Sequence, residues 1–281
     1  MSLFDKIISI LDYQIDKAPE MFGMFHFISV ACIIFVTYLF VRYLKDTDDK
    51  TFRKVMFICF IILVLGEIYH QVCFSVDFDS GSANWDYPWY KFPMQFCSTP
   101  MYVLPFVIFM KDGHVRDSAM AYISTFSLFA GLAVCIYAND VFCKTAGVNV
   151  QTMVAHGLQV VMGIYMTVYN RRRLSHSYYL KAIPMFIAFL AIATVLNLAV
   201  YEIIPDESFN MFYISPYYQC HLPILSIIDP LVPDIVFFFI YSLGFIGVAA
   251  LVYYIERLII NLVQKSISKE KTAAKSELVT R

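Results

Sequence analysis

The stretch "DIVFFFIYSLGFIGVAALVYYIERL", Asp234–Leu258, holds 21 consecutive residues without a charge between Asp234 and Glu256. As a helix that run is ~31 Å long, and the hydrocarbon core of a bilayer is about 30 Å thick. The surrounding chain has the same character. Of 281 residues 59% are hydrophobic and 15% charged, with a mean hydropathy of +0.64. Soluble domains carry nearer a quarter charged residues. The composition therefore predicts an all-α polytopic membrane protein. The abundance of Phe (26) and Tyr (20) suits helices packed in lipid.

Seven stretches are apolar and long enough to be read as spans: 24–44, 54–74, 94–110, 117–138, 148–170, 179–204 and 232–262. The third is the shortest. The expectation is one seven-transmembrane-helix bundle over 1–264, with no second domain, followed by a charged cytoplasmic tail over 265–281 that frays. Asp5, Lys6 and Asp12 break up the N-terminus, and no cleavage site follows. Residues 2–13 read instead as a short amphipathic surface helix, with Leu3, Phe4, Ile7, Ile8 and Leu11 on one face. Loop charge orients the bundle. With the N-terminus outside, 17 of the 21 basic residues fall on the inner side, leaving only Lys6, Lys17, Lys91 and Lys144 outside. The positive-inside rule thus predicts N-terminus out and C-terminus in, in the cell membrane.

With that orientation the intramembrane polar residues share a layer beneath the outer surface. Glu67 and His70 sit near the outer end of span 2, and Gln95 and Cys97 at the start of span 3. Thr152, His156 and Gln159 sit in the outer half of span 5, and Asn197 two turns from the outer end of span 6. His26 and Asp234 open spans 1 and 7. The inner half is expected to hold almost no ionisable group. Glu67, His70 and Gln71 share a helix face, as do Thr152, His156 and Gln159. Cys97 and Gln95 are two apart and do not, unless Pro93 and Pro100 distort the turn. Taken singly, such residues are ordinary: membrane cysteines such as Cys32, Cys59 and Cys135 usually pack, and amides glue helices together. Their common depth is what points to a site.

A thiol beside an imidazole supports nucleophilic catalysis, with a carboxylate or amide orienting the base. A substrate entering from the outer leaflet would be amphipathic, so the chemistry is acyl transfer or lipid ester hydrolysis through a thioester. Cys97 is the candidate nucleophile and His156 the base. Glu67 or His70 orients it, and Gln95 or Asn197 holds the oxyanion. Gln159 and Thr152 complete the substrate-binding set. The last span has no lysine for a retinal Schiff base, and the histidines are too scattered for a metal set. No Gly-rich phosphate loop or nucleic-acid patch is present. The expectation is membrane lipids as partners and neither metal nor cofactor. Cys143 and Cys220 both lie outside, where a disulfide is open to them. The competing reading is a transporter or receptor that binds a small polar or amphipathic ligand in the same pocket.

The segments "GEIYHQV", "YKFPMQFCSTPMYVLPF", "VAHGLQVVMGIYM", "VLNLAVY" and "NMFYISP" together resemble the YwaF-like integral membrane proteins, over essentially the whole seven-span core. That family includes a vertebrate transmembrane protein assigned as a cysteine-dependent acyltransferase of ether phospholipids. It is distantly similar to ADTRP-type lipid hydrolases, which use a threonine and a histidine. The resemblance implies a nucleophile at Cys97 and a partner at His156. The family's buried acid falls on Glu67 and its span-6 asparagine on Asn197. Phe92 and Met94 stand where the family usually has leucines.

The orientation has a direct test. An epitope at the N-terminus should be reached by an impermeant antibody on intact cells, and one at the C-terminus only after permeabilisation. The opposite pattern would invert the assignment of the polar layer to the outer leaflet.

Overall fold

The computed structural model describes residues 3–77, 84–138, 141–204 and 208–279. Eight principal helices organise them: α1 (Leu3–Leu11), α2 (Met24–Leu44), α3 (Asp49–Ser75), α4 (Thr99–Phe109), α5 (His114–Ile136), α6 (Ala146–Tyr169), α7 (His176–Ile203) and α8 (Asp234–Val279). A two-residue antiparallel pairing, Val76–Asp77 with Asn84–Trp85, closes the turn after α3. Residues 78–83 of that turn lie outside the described residues, as do Ser2 of the expected N-terminal helix and residues 280–281 of the tail.

Local chemistry sets the helix ends. Asp48 caps α3 by accepting the Thr51 N–H at 3.0 Å. Pro100 stands in the first turn of α4, where its missing N–H costs nothing. Among the described residues five helices are long and apolar enough to cross a membrane: α2, α3, α5, α7 and α8. The other two bundle helices fall short for different reasons. The apolar helical run Phe96–Phe109, which includes α4, has 14 residues and reaches ~21 Å. α6 is long, but Asn149, Gln151, Thr152, His156 and Gln159 lower its hydropathy.

α6 sits inside the bundle, packed against α2, α3 and α5. Two glycines permit the approach. A Cβ on Gly131 of α5 would stand 2.6 Å from the His156 carbonyl oxygen and 2.9 Å from Gln159 Cβ; one on Gly157 would stand 2.6 Å from Ile33 Cγ1 of α2. α5 carries a π turn at Ile123–Ser127 in the same contact zone. Between α5, α7 and α8 lies an aromatic layer. Phe126 stacks on Phe186 at 4.5 Å, Tyr241 stacks on Phe245 at 4.2 Å, and Phe96 reaches Phe245 edge-on at 4.9 Å. α1 is docked rather than loose: Tyr69 Oη donates to the Leu11 carbonyl, and the strand-like stretch after it pairs Gln14 with Thr145.

Two expectations need correction, and one open alternative is decided. α8 continues as helix to Val279 instead of fraying after Gln264, because that tail is rich in Lys, Glu and Ala and has no Gly or Pro. The end of the bundle opposite the polar layer is not free of ionisable groups. Arg116 is 3% exposed there, bonded to Asp49, Asp112 and the Val107 carbonyl, and Glu256 accepts from Thr167. Finally, Cys143 and Cys220 form no disulfide; all seven cysteines are free. Cys143 Sγ points to the Thr145 carbonyl, while the Cys220 amide donates to Asp229 and burial pushes its thiol up to about 11.

Gly131→Ala should lower thermal stability in detergent by about 1–3 kcal/mol, since the new methyl meets backbone rather than a yielding side chain. Gly244→Ala, with nothing within 4 Å of the new carbon, should be neutral or slightly stabilising. Equal behaviour of the two variants would mean that the α5–α6 approach is not a tight contact.

Candidate active site

A cavity of about 250 Å³ opens where the C-terminal part of α3, the segment before α4 and the N-terminal half of α6 meet. Glu67, His70, Gln95, Cys97, Thr152, His156 and Gln159 all line it. Thus the two helix faces read from spacing converge, and the turn carrying Gln95 and Cys97 joins them. That turn is not helical at Gln95; a 3-10 turn over Phe96–Ser98 leads into α4. Pro93 precedes the turn and α4 starts only at Thr99, so the backbone at Gln95 is extended and both side chains reach the same space despite being two residues apart.

The Cys97 turn is fixed from several sides. Gln159 Nε2 donates to the Cys97 carbonyl at 3.0 Å, and the Thr99 hydroxyl pairs with Tyr122 Oη at 2.7 Å. Tyr102 Oη donates to the Pro93 carbonyl at 2.6 Å. Next to the cysteine, Phe96 packs half-buried against the aromatic layer, while Cys97 lines the cavity.

His156 Nδ1 lies 2.8 Å from the Thr152 carbonyl. A carbonyl only accepts, so Nδ1 carries the proton and Nε2 of the neutral ring is an acceptor. His26 is the contrasting case. Its Nδ1 accepts the Phe22 N–H and its Nε2 donates to the Cys135 carbonyl, both at 3.0 Å. Both nitrogens are engaged, and the residue joins α2 to α5.

On α3, Gln71 Nε2 donates to Glu67 Oε1 at 2.7 Å and to the Lys91 carbonyl at 2.8 Å, while Tyr87 Oη donates to Gln71 Oε1. His70 Nδ1 stands 3.8 Å from Glu67 Oε1, beyond hydrogen-bond length. Two buried atoms at the cavity residues have no protein partner among the described residues: His70 Nδ1 and Gln159 Oε1. Such atoms are costly unless water or a ligand meets them. Among the described residues no group of three or more His, Cys, Asp or Glu is gathered to hold a metal ion.

Asn197 is placed differently. It is buried but does not line the cavity; its amide clamps Met211, donating to the carbonyl at 3.0 Å and accepting the N–H at 2.7 Å. Gln95 makes a similar clamp one step along, to the Asn210 carbonyl and the Phe212 N–H. Between them they hold Phe212 and Tyr213 at φ 59° and 57°, in the left-handed region, and Tyr213 lines the cavity. Spacing could not reveal this, because both partners are backbone atoms of a loop.

Lys91 is the residue that sequence reasoning passed over as an outer-loop charge. It lines the cavity, with Nζ 4.1 Å from the Phe74 ring centre. Burial holds its ammonium below the ordinary lysine range. The signal was its position between aromatic residues, "WYKF", two residues before Pro93.

The model for one family, the TMEM164 family, matches residues 21–255. The chain belongs to the TMEM164 family. No curated protein and no solved structure matches it. The TMEM164 match covers every residue that lines the cavity, and it accords with an integral membrane protein whose apolar helices α2, α3, α5, α7 and α8 suit a lipid environment.

Asn197→Ala should lower stability by about 1–3 kcal/mol, because it leaves the buried Met211 N–H without a partner and its carbonyl with only the long Ile214 N–H contact. Thermal unfolding measures this. Asn197→Asp, which keeps one acceptor, should lose less, and equal losses would contradict the clamp.

Proposed function

We propose that this chain is a seven-span enzyme of the cell membrane, N-terminus out, which transfers or hydrolyses acyl groups of amphipathic lipids through Cys97. The observation that carries the reading is the convergence of a thiol, an imidazole with a free Nε2 and a carboxylate on one cavity, built from three separate segments.

In this reading the Cys97 thiol gives its proton to His156 Nε2. The thiolate sits at the start of α4, where helix-end charge favours an anion. It attacks the ester carbonyl carbon of the lipid, and the tetrahedral oxyanion forms. The carbon–oxygen ester bond then breaks, and the departing alkoxide takes the proton from His156. The enzyme is left as a thioester. A second lipid hydroxyl, or water, attacks that thioester while His156 takes its proton, and the thiolate leaves. The Thr152 carbonyl holds the imidazole in the required tautomer. Glu67, Gln71 and His70 shape the polar wall. Gln95 and Asn197 act as positioning residues through the 210–213 loop rather than as oxyanion donors. Lys91 offers a cation to a lipid phosphate at the mouth.

The second reading, a pocket that binds a small polar or amphipathic ligand without chemistry, draws on the two unpartnered atoms at His70 and Gln159. One experiment separates them. Purified protein is treated with a lipid-like thiol-reactive probe, and the modified cysteine is mapped by mass spectrometry. The enzyme reading expects Cys97 to be modified first among the seven cysteines, at least about tenfold slower labelling in His156→Ala, and loss of the adduct in Cys97→Ser. Labelling that is indifferent to both substitutions would leave the binding reading in place.

A further inference from the structure

A second recess lies about 16 Å further along α6 from His156, towards the opposite end of the bundle. It is about 460 Å³ in volume and is formed by α2, α5, α6 and α8. That is within the ~300–1,000 Å³ usual for ligand pockets. Its walls are aliphatic, from Val41, Leu128, Leu132 and Ile164 among others. Ile259 and Val263 of α8 are exposed at its edge, so it opens sideways, where lipid would lie.

Besides Gln264, exposed on α8, two polar features interrupt the aliphatic lining. At the rim stand Lys45 and Arg171. Arg171 is bonded to Asp46 and to the Lys45 carbonyl, while the Lys45 ammonium has no ion-pair partner among the described residues. One helical turn inward, ~6 Å along α6, Glu256 lines the recess. Its Oε2 accepts from the Thr167 hydroxyl at 3.1 Å. Its other oxygen has no protein partner among the described residues, and neither does the carboxyl have a cation. A carboxyl turned into an aliphatic recess with one oxygen unpartnered and no cation beside it is unfavourable. The recess therefore asks for an anion at the rim, a hydrogen-bond donor one turn in, and a hydrocarbon chain beyond.

We infer that this recess is a binding site for a single-chain lipid phosphate bearing an N–H or O–H donor beside the phosphate-carrying carbon. The phosphate meets Lys45 and Arg171, the donor meets Glu256, and the chain lies on Leu128, Leu132 and Ile164. A two-chain glycerophospholipid fits less well. At the depth of Glu256 it presents ester carbonyls, which only accept. Glu256 follows directly on the last residue of the family match, and the site is independent of the Cys97 chemistry.

The test is a titration of the full chain in phosphatidylcholine nanodiscs, read by native mass spectrometry. The probes are a sphingoid-base 1-phosphate and a 1-acylglycerol 3-phosphate of equal chain length. The comparators are a long-chain amine without phosphate and a two-chain phosphatidic acid. The expected result is saturable one-to-one binding of at least one single-chain phosphate, about tenfold tighter than either comparator. Preference between the two probes identifies an amine or a hydroxyl as the donor. Glu256→Leu and Lys45→Gln should each weaken binding about tenfold, and Cys97→Ser should leave it unchanged. Equal binding of phosphatidic acid, or affinity untouched by both recess substitutions, overturns the site. If Glu256→Leu does not fold, the Lys45→Gln titration decides alone.

Discussion

α6 is the constraint around which the bundle is arranged. A helix with Asn149, Gln151, Thr152, His156 and Gln159 along it is too polar to face hydrocarbon, so other helices must enclose it. Enclosure needs close approach, and Gly131 and Gly157 remove the carbon atoms that would prevent it. Once α6 is central, its polar side chains have to be met from within the protein. Gln159 meets the Cys97 carbonyl, and Thr152 meets its own helix neighbour His156. The cavity is the part of that surface which the neighbours leave unmet.

The aromatic layer supplies the counterweight. Phe96, Phe126, Phe186 and Phe245 fill the space between α5, α7 and α8 with rings in stacked and edge-on contact. Phe96 belongs to this layer while Cys97, its neighbour, belongs to the cavity. A single peptide step thus carries the chain from packed rings to polar space, and the rigidity of the first orients the second.

Much of this was legible in the sequence. Hydropathy located the long helices to within about five residues, except at the C-terminal end of α8, and i, i+3, i+4 spacing placed Glu67 with His70 and Thr152 with His156 and Gln159. What spacing missed follows one rule: it tells which side chains share a helix face, but not which meet backbone. Asn197 and Gln95, expected as site amides, both clamp loop backbone, Gln95 while also lining the cavity; their partners, the backbone of Asn210, Met211 and Phe212, carry no side-chain signature. Glu256 was hidden for another reason. It ends an apolar run beside Arg257 and shares no helix face with another polar residue of the site, and only the packing of α8 on α6 turns it inward. Lys91 was hidden likewise, as one outer cation among aromatics.

The shortness of α4 has a consequence of its own. A helical run of 14 residues cannot bridge a bilayer alone, so in the proposed seven-span reading the chain from Phe92 to Gln95 covers the remaining depth as irregular backbone. Such backbone survives at membrane depth only against protein or moisture, and here it borders an open recess. In the proposed reading this means that hydration reaches the sulfur whatever lipid is docked. Transfer to a lipid alcohol then competes with a solvent that is always at hand, and the partition between the two products is set by how completely the second substrate fills the recess.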